Sequence, residues 1–82
     1  MDNRDNIKNR VLELFNNDYK DRILENMKTI GTPNNIKTTR IPFICEEVMD
    51  YAIYNHRTNK IEYLIIYIEN DGVAESLVLP LD

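Results

Sequence analysis

The chain has 82 residues, 43% hydrophobic and 29% charged, with 14 acids against 10 bases and a net charge of −4. A second hydrophobic core would need roughly another 100 residues, so one small domain over 1–82 is expected. The single Cys45 excludes an internal disulfide scaffold, two Gly and three Pro leave no flexible linker, and no apolar run approaches the roughly 20 residues of a membrane span. No early stretch carries the apolar core of a signal peptide, so a cytoplasmic location is expected. Eleven Asn and eleven Ile suggest an A+T-rich coding genome, and that much Asn argues against a hyperthermophile. A low-GC bacterium or its phage fits this usage.

From Asn6 to Ile30 there is no Gly or Pro, and Leu12, Phe15, Tyr19, Ile23, Met27 and Ile30 follow at steps of three or four. That spacing predicts an amphipathic helix. Asp2, Asn3 and Asp5 suit its start, and Gly31 followed by Pro33 suits its end. Polar Asn16, Asn17 and Asp18 interrupt the stripe, so either one long, slightly broken helix or two short ones is expected. Gly31 to Asn35 reads as a loop. Ile36 to Ile44 reads as an extended edge segment, because Pro42 cannot donate to a ladder.

The last third predicts a β-meander. Asn70-Asp71-Gly72 is a hairpin signal between Ile61–Glu69 and Val73–Leu81, and the polar Asn55–Lys60 break suggests a second hairpin after Val48–Tyr54. A helix from about 43 to 55 is the competing reading, since Glu46, Glu47, Met49 and Ala52 are helix formers; β-branched and aromatic Val48, Tyr51, Ile53 and Tyr54 favour strand. The fold class is therefore α+β, an N-terminal helical segment packed on three or four antiparallel strands.

Two-residue turns at Asp71-Gly72 and Thr58-Asn59 would set Asn70 opposite Val73 and Arg57 opposite Lys60. One face then gathers Met49, Tyr51, Ile53, Leu64, Ile66, Ile68, Leu77, Leu79 and Leu81 as the core. The other gathers Asp50, Ala52, Tyr54, Ile61, Tyr63, Ile65, Tyr67, Glu69, Ala74, Ser76 and Val78, with no base. One helix cannot cover both faces, and tyrosine offers contact area at low entropic cost with a hydroxyl that keeps a wet partner. Asp50, Tyr54, Tyr63, Tyr67 and Glu69 are accordingly the expected partner-binding residues. The plainer alternative is that tyrosine merely favours half-exposed strands.

Residues 1–40 hold eight bases and six acids, whereas 41–82 hold two bases and eight acids. An acidic sheet half, at −6, favours a basic partner surface. Phosphate-bearing nucleic acid would be repelled, so no direct nucleic-acid binding is expected.

No catalytic set is legible, and an enzyme is not expected. Cys45 with His56 is the only nucleophile–base combination, with Cys45 reading more simply as buried and His56 as an exposed turn residue. Glu46 and Glu47 would point to opposite strand faces. Metal spacings and glycine-rich phosphate loops are absent, so no metal or other cofactor is expected. No motif is specific enough to carry a family resemblance. The leading expectation is a small non-enzymatic protein-binding module, in the manner of an inhibitor, immunity or anti-host factor that occludes its partner; the alternative is a homodimer with any ligand site between copies.

Overall fold

The computed structural model describes residues 3–81; Asp2 and the Asn3 side chain, offered above as capping groups, lie outside what is described. A helical segment made of α1 (Asn3–Leu14), a π-helical turn (Phe15–Tyr19) and α2 (Lys20–Ile30) precedes four strands, β1 (Thr38–Cys45), β2 (Val48–Asn55), β3 (Lys60–Asn70) and β4 (Val73–Pro80). The strands form one antiparallel meander in the order β1-β2-β3-β4, with the helix against one face. The region 42–55 is strand, and Pro42 sits in the edge strand β1.

Ile7, Val11, Phe15, Tyr19, Ile23 and Met27 all pack in the core, one every four residues. In an unbroken α-helix each such step overshoots a full turn by about 40°, so the six would wind through about 200°. The π-helical turn absorbs one extra residue, roughly 100° of rotation, and so keeps the row aimed at the sheet. The exposed Asn16, Asn17 and Asp18 therefore mark a wide turn within one continuous segment. Two members of the expected stripe are corrected: Leu12 is outside the core cluster, and Ile30 is 68% exposed. The helix ends at Gly31, whose φ of 83° suits glycine and whose N–H reaches the Met27 carbonyl at 3.2 Å.

At Asp71-Gly72 the turn is as expected: both residues have positive φ, and Asn70 faces Val73. The β2–β3 connection differs. Asn55 pairs with Lys60, leaving a four-residue turn in which the Asn55 side-chain oxygen accepts the N–H groups of Arg57 and Thr58, and Asn59 adopts a φ of 59°. A β-bulge follows between Ile53 and Tyr54, so Ala52 faces Leu64 and Ile53 faces Tyr63. This one-residue change of register inverts β2. Asp50, Ala52 and Tyr54 turn to the helix side, while Met49, Tyr51 and Ile53 lie on the open face. Ile61 also joins the core, whereas the remaining β3 and β4 assignments stand.

Glu46 and Glu47 are themselves a two-residue turn joining β1 to β2, with φ of 50° and 68°. The left-handed conformation costs a non-glycine residue about 1–2 kcal/mol. Glu47→Gly is therefore expected to stabilise the protein by about 1 kcal/mol in urea unfolding, the glycine's added unfolded-state freedom offsetting part of the gain. No increase in the midpoint would show that the turn is unstrained.

Candidate functional site

The helix covers a single face of the meander. On the other, register aligns Arg40, Ile53, Tyr63 and Pro80 in one row across the strands, and Pro42, Tyr51, Ile65 and Val78 in the next. A third row carries Ile44 opposite Met49 and Tyr67 opposite Ser76. With strands about 4.8 Å apart and rows about 7 Å apart, this patch covers roughly 400 Å². Ile44, Met49 and Val78 are 52%, 49% and 59% exposed, and Tyr67 is 36% exposed. Exposed Ile44, Met49 and Val78 lie together on this face beside Arg40 and Ser76, the mixture of apolar side chains and polar neighbours found at interaction surfaces.

Arg40 crosses the face diagonally. Its guanidinium lies 3.8 Å from the Tyr51 ring centroid and donates to the Tyr67 hydroxyl at 3.0 Å, while Tyr51 and Tyr67 meet edge to face at 6.1 Å. Tyr51 in turn donates to Met49 Sδ at 3.5 Å. These contacts hold large side chains in one arrangement before any partner arrives, which lowers the entropic cost of docking. The expected absence of a base is thus corrected: inversion of β2 and the alignment of β1 bring Arg40 onto this face. Only an alternation of Arg40, Pro42 and Ile44 along β1 hinted at it.

Of the five expected partner-binding residues, Tyr63, Tyr67 and Glu69 belong to the open face. Tyr54 does not; it is buried, donates to Asn59 Oδ1 at 3.1 Å, and packs edge-on to His56. Asp50 is also removed from it. Its side chain is 1% exposed beneath α1, and its Oδ1 accepts the Tyr67 N–H at 2.9 Å. The β2–β3 ladder ends at Tyr51 and Ile65, so this carboxylate engages a donor that the next backbone pair would otherwise take. Burial pushes the Asp50 carboxyl above its ordinary value, opposed by the Tyr67 hydrogen bond.

Four of the sheet half's eight acids gather at one end of the sheet, where β1 turns into β2 and β3 into β4: Glu46 and Glu47 in one turn, Asp71 in the other, and Glu69 just before it. Glu46 pairs with Arg10 at 3.2 Å and Glu75 with Arg4 at 2.9 Å. The open face is therefore polarised along its length, with Arg40 toward one end and carboxylates about the other.

Cys45 and His56 are far apart. His56 is buried and hydrogen-bonded through Nε2 to Thr39, near the start of β1, whereas Cys45 ends that strand. Six residues of strand separate them, about 20 Å. Burial, Glu46 and Asp50 raise the Cys45 thiol pKa and Arg10 opposes them, disfavouring the thiolate nucleophile. Among the described residues, no three His, Cys, Asp or Glu side chains are grouped to hold a metal ion, and no helix is long and apolar enough to cross a membrane.

No family model, curated protein or solved structure matches the chain.

Proposed function

We propose that this protein is a non-enzymatic protein-binding module that docks a partner on the open face of its sheet and acts by occlusion, as an inhibitor or immunity factor does. The observation that carries the reading is the uncovered patch of Ile44, Met49, Tyr51, Ile65, Tyr67 and Val78, with Arg40 stacked into it. Aromatic side chains and arginine are the residues that most often dominate binding energy at protein interfaces. The acids at the hairpin end suit a partner with basic groups beside its apolar contact. The alternative occupant is a second copy. Antiparallel stacking of two such faces would set each Arg40 toward the other's Glu69 end, and this complementarity favours a homodimer as the second reading.

Ile44→Glu combined with Val78→Glu provides the test, since both positions are exposed and their replacement leaves the helix-side core intact. The variant is expected to keep the wild-type melting curve and lose at least about tenfold in affinity for the partner recovered from native host extract. For the second reading, light scattering at micromolar concentration would give a dimer mass for wild type and a monomer for the variant. A monomeric wild type whose captured partners bind the variant equally well would overturn both readings.

A further inference from the structure

On the helix side, the parting of β2 from β3 beyond Tyr51 and Ile65 leaves a cleft of about 160 Å³. Ile7 and Val11 of α1 and Ile66 and Ile68 of β3 line it, with Asp50 also in its wall. Among the described residues, the carboxyl of Asp50 has one hydrogen bond, from Tyr67 N–H to Oδ1. No fully buried side-chain oxygen in the described protein lacks a partner, so Oδ2 keeps a trace of exposure, and Asp50 is part of the cleft lining. A carboxylate with 1% exposure, apolar walls and an unclaimed oxygen is a built receptor for a hydrogen-bonding cation.

The surrounding charge has the matching sign. Arg10, Glu46, Tyr67, Glu69 and Cys45 also border the cleft, and Arg10 is engaged by Glu46 at 3.2 Å. Three carboxylates against one guanidinium leave a net negative site when all are ionised. Size narrows the ligand further. At about 30 Å³ per water, the cleft holds roughly five non-hydrogen atoms, the size of a four-carbon chain with an ammonium.

We propose that this cleft binds a primary alkylammonium group, its nitrogen donating to Asp50 Oδ2 and its chain lying against Ile7, Val11, Ile66 and Ile68. A free amine and a lysyl side chain share this chemistry. The cleft shares Tyr67 and Glu69 with the edge of the open face, but neither Ile44 nor Val78 lines it. Burial raises the Asp50 pKa and an ammonium binds the ionised carboxyl, so binding strengthens as pH rises through that pKa.

The test is a titration of the full chain with n-butylamine at neutral pH, followed by amide NMR shifts. Saturable millimolar shifts are expected at Ile7, Val11, Asp50, Ile66 and Ile68. Binding should weaken at least tenfold for n-butanol, for Asp50→Asn, and for wild type in acid. The asparagine retains a carbonyl for the Tyr67 N–H; should that variant misfold, the butanol and pH comparisons still decide. Nα-acetyl-lysine amide distinguishes the sources: saturation comparable to butylamine identifies a cleft open to lysyl side chains, and saturation by butylamine alone identifies a free-amine site. Absence of butylamine shifts at these amides, equal binding of butanol, or undiminished binding by folded Asp50→Asn would overturn the proposal.

Discussion

Replacing Phe15 with alanine is expected to cost about 3–5 kcal/mol, read as a lowered urea midpoint by circular dichroism. A domain of this length has about 4–12 kcal/mol in total, so the loss takes at least about a quarter of it. Phe15 is fully buried, and its ring centroid stands 5.0 Å from that of Phe43, which in turn lies 5.3 Å from Tyr19. It also begins the π-helical turn. Truncation there leaves a cavity between helix and sheet. Phe15→Leu retains most of the volume and should lose less than half as much. A cost below about 1 kcal/mol for the alanine variant would mean that the helix is not anchored through this ring cluster.

The helix was legible because its stop is chemical: Gly31 supplies a positive φ and Pro33 prevents continuation. Asp71-Gly72 was legible for the same reason, and the correct β3–β4 register followed from it. The other connections hide their chemistry in ordinary residues. Asn55 reaches forward with its side chain and lengthens a turn that composition alone suggests is two residues, while Glu46 and Glu47 adopt φ angles for which glutamate carries no signal. The longer turn moves the pairing by two residues, which keeps the faces; the β-bulge between Ile53 and Tyr54 brings the net change to one residue, and that exchanges Asp50 and Tyr54 with Tyr51 and Met49. The existence of an open tyrosine face survived because Tyr63 and Tyr67 depend only on β3. Its charge did not survive, because Arg40 enters from a strand whose register no turn signal fixed. The helical stripe failed at Leu12 and Ile30 because steps of three or four assume a uniform helix, whereas the π-helical turn admits a row at steps of four.

Asp50→Asn is expected to stabilise the protein near neutral pH, with the gain vanishing in acid. The wild-type carboxyl is raised from 3.8 by desolvation, so the folded chain holds this proton more tightly than the unfolded chain. Below the unfolded value both states are protonated and Asp50 costs nothing as a charge; as pH rises through the folded value, the favourable protonated form is lost and stability falls. Asparagine has the same shape and does not titrate in this range, and its carbonyl can accept the Tyr67 N–H. The difference between variant and wild-type unfolding free energies should therefore grow from pH 3 toward neutrality and level off once folded Asp50 is ionised. Urea titrations across that range measure it directly; a difference that stays constant with pH would refute the buried-charge account. With butylamine present the order should reverse, because a cation binds folded wild type and lends it stability that the asparagine variant gains only weakly. That reversal is the signature expected of a carboxylate that serves the proposed ammonium site rather than the core around it.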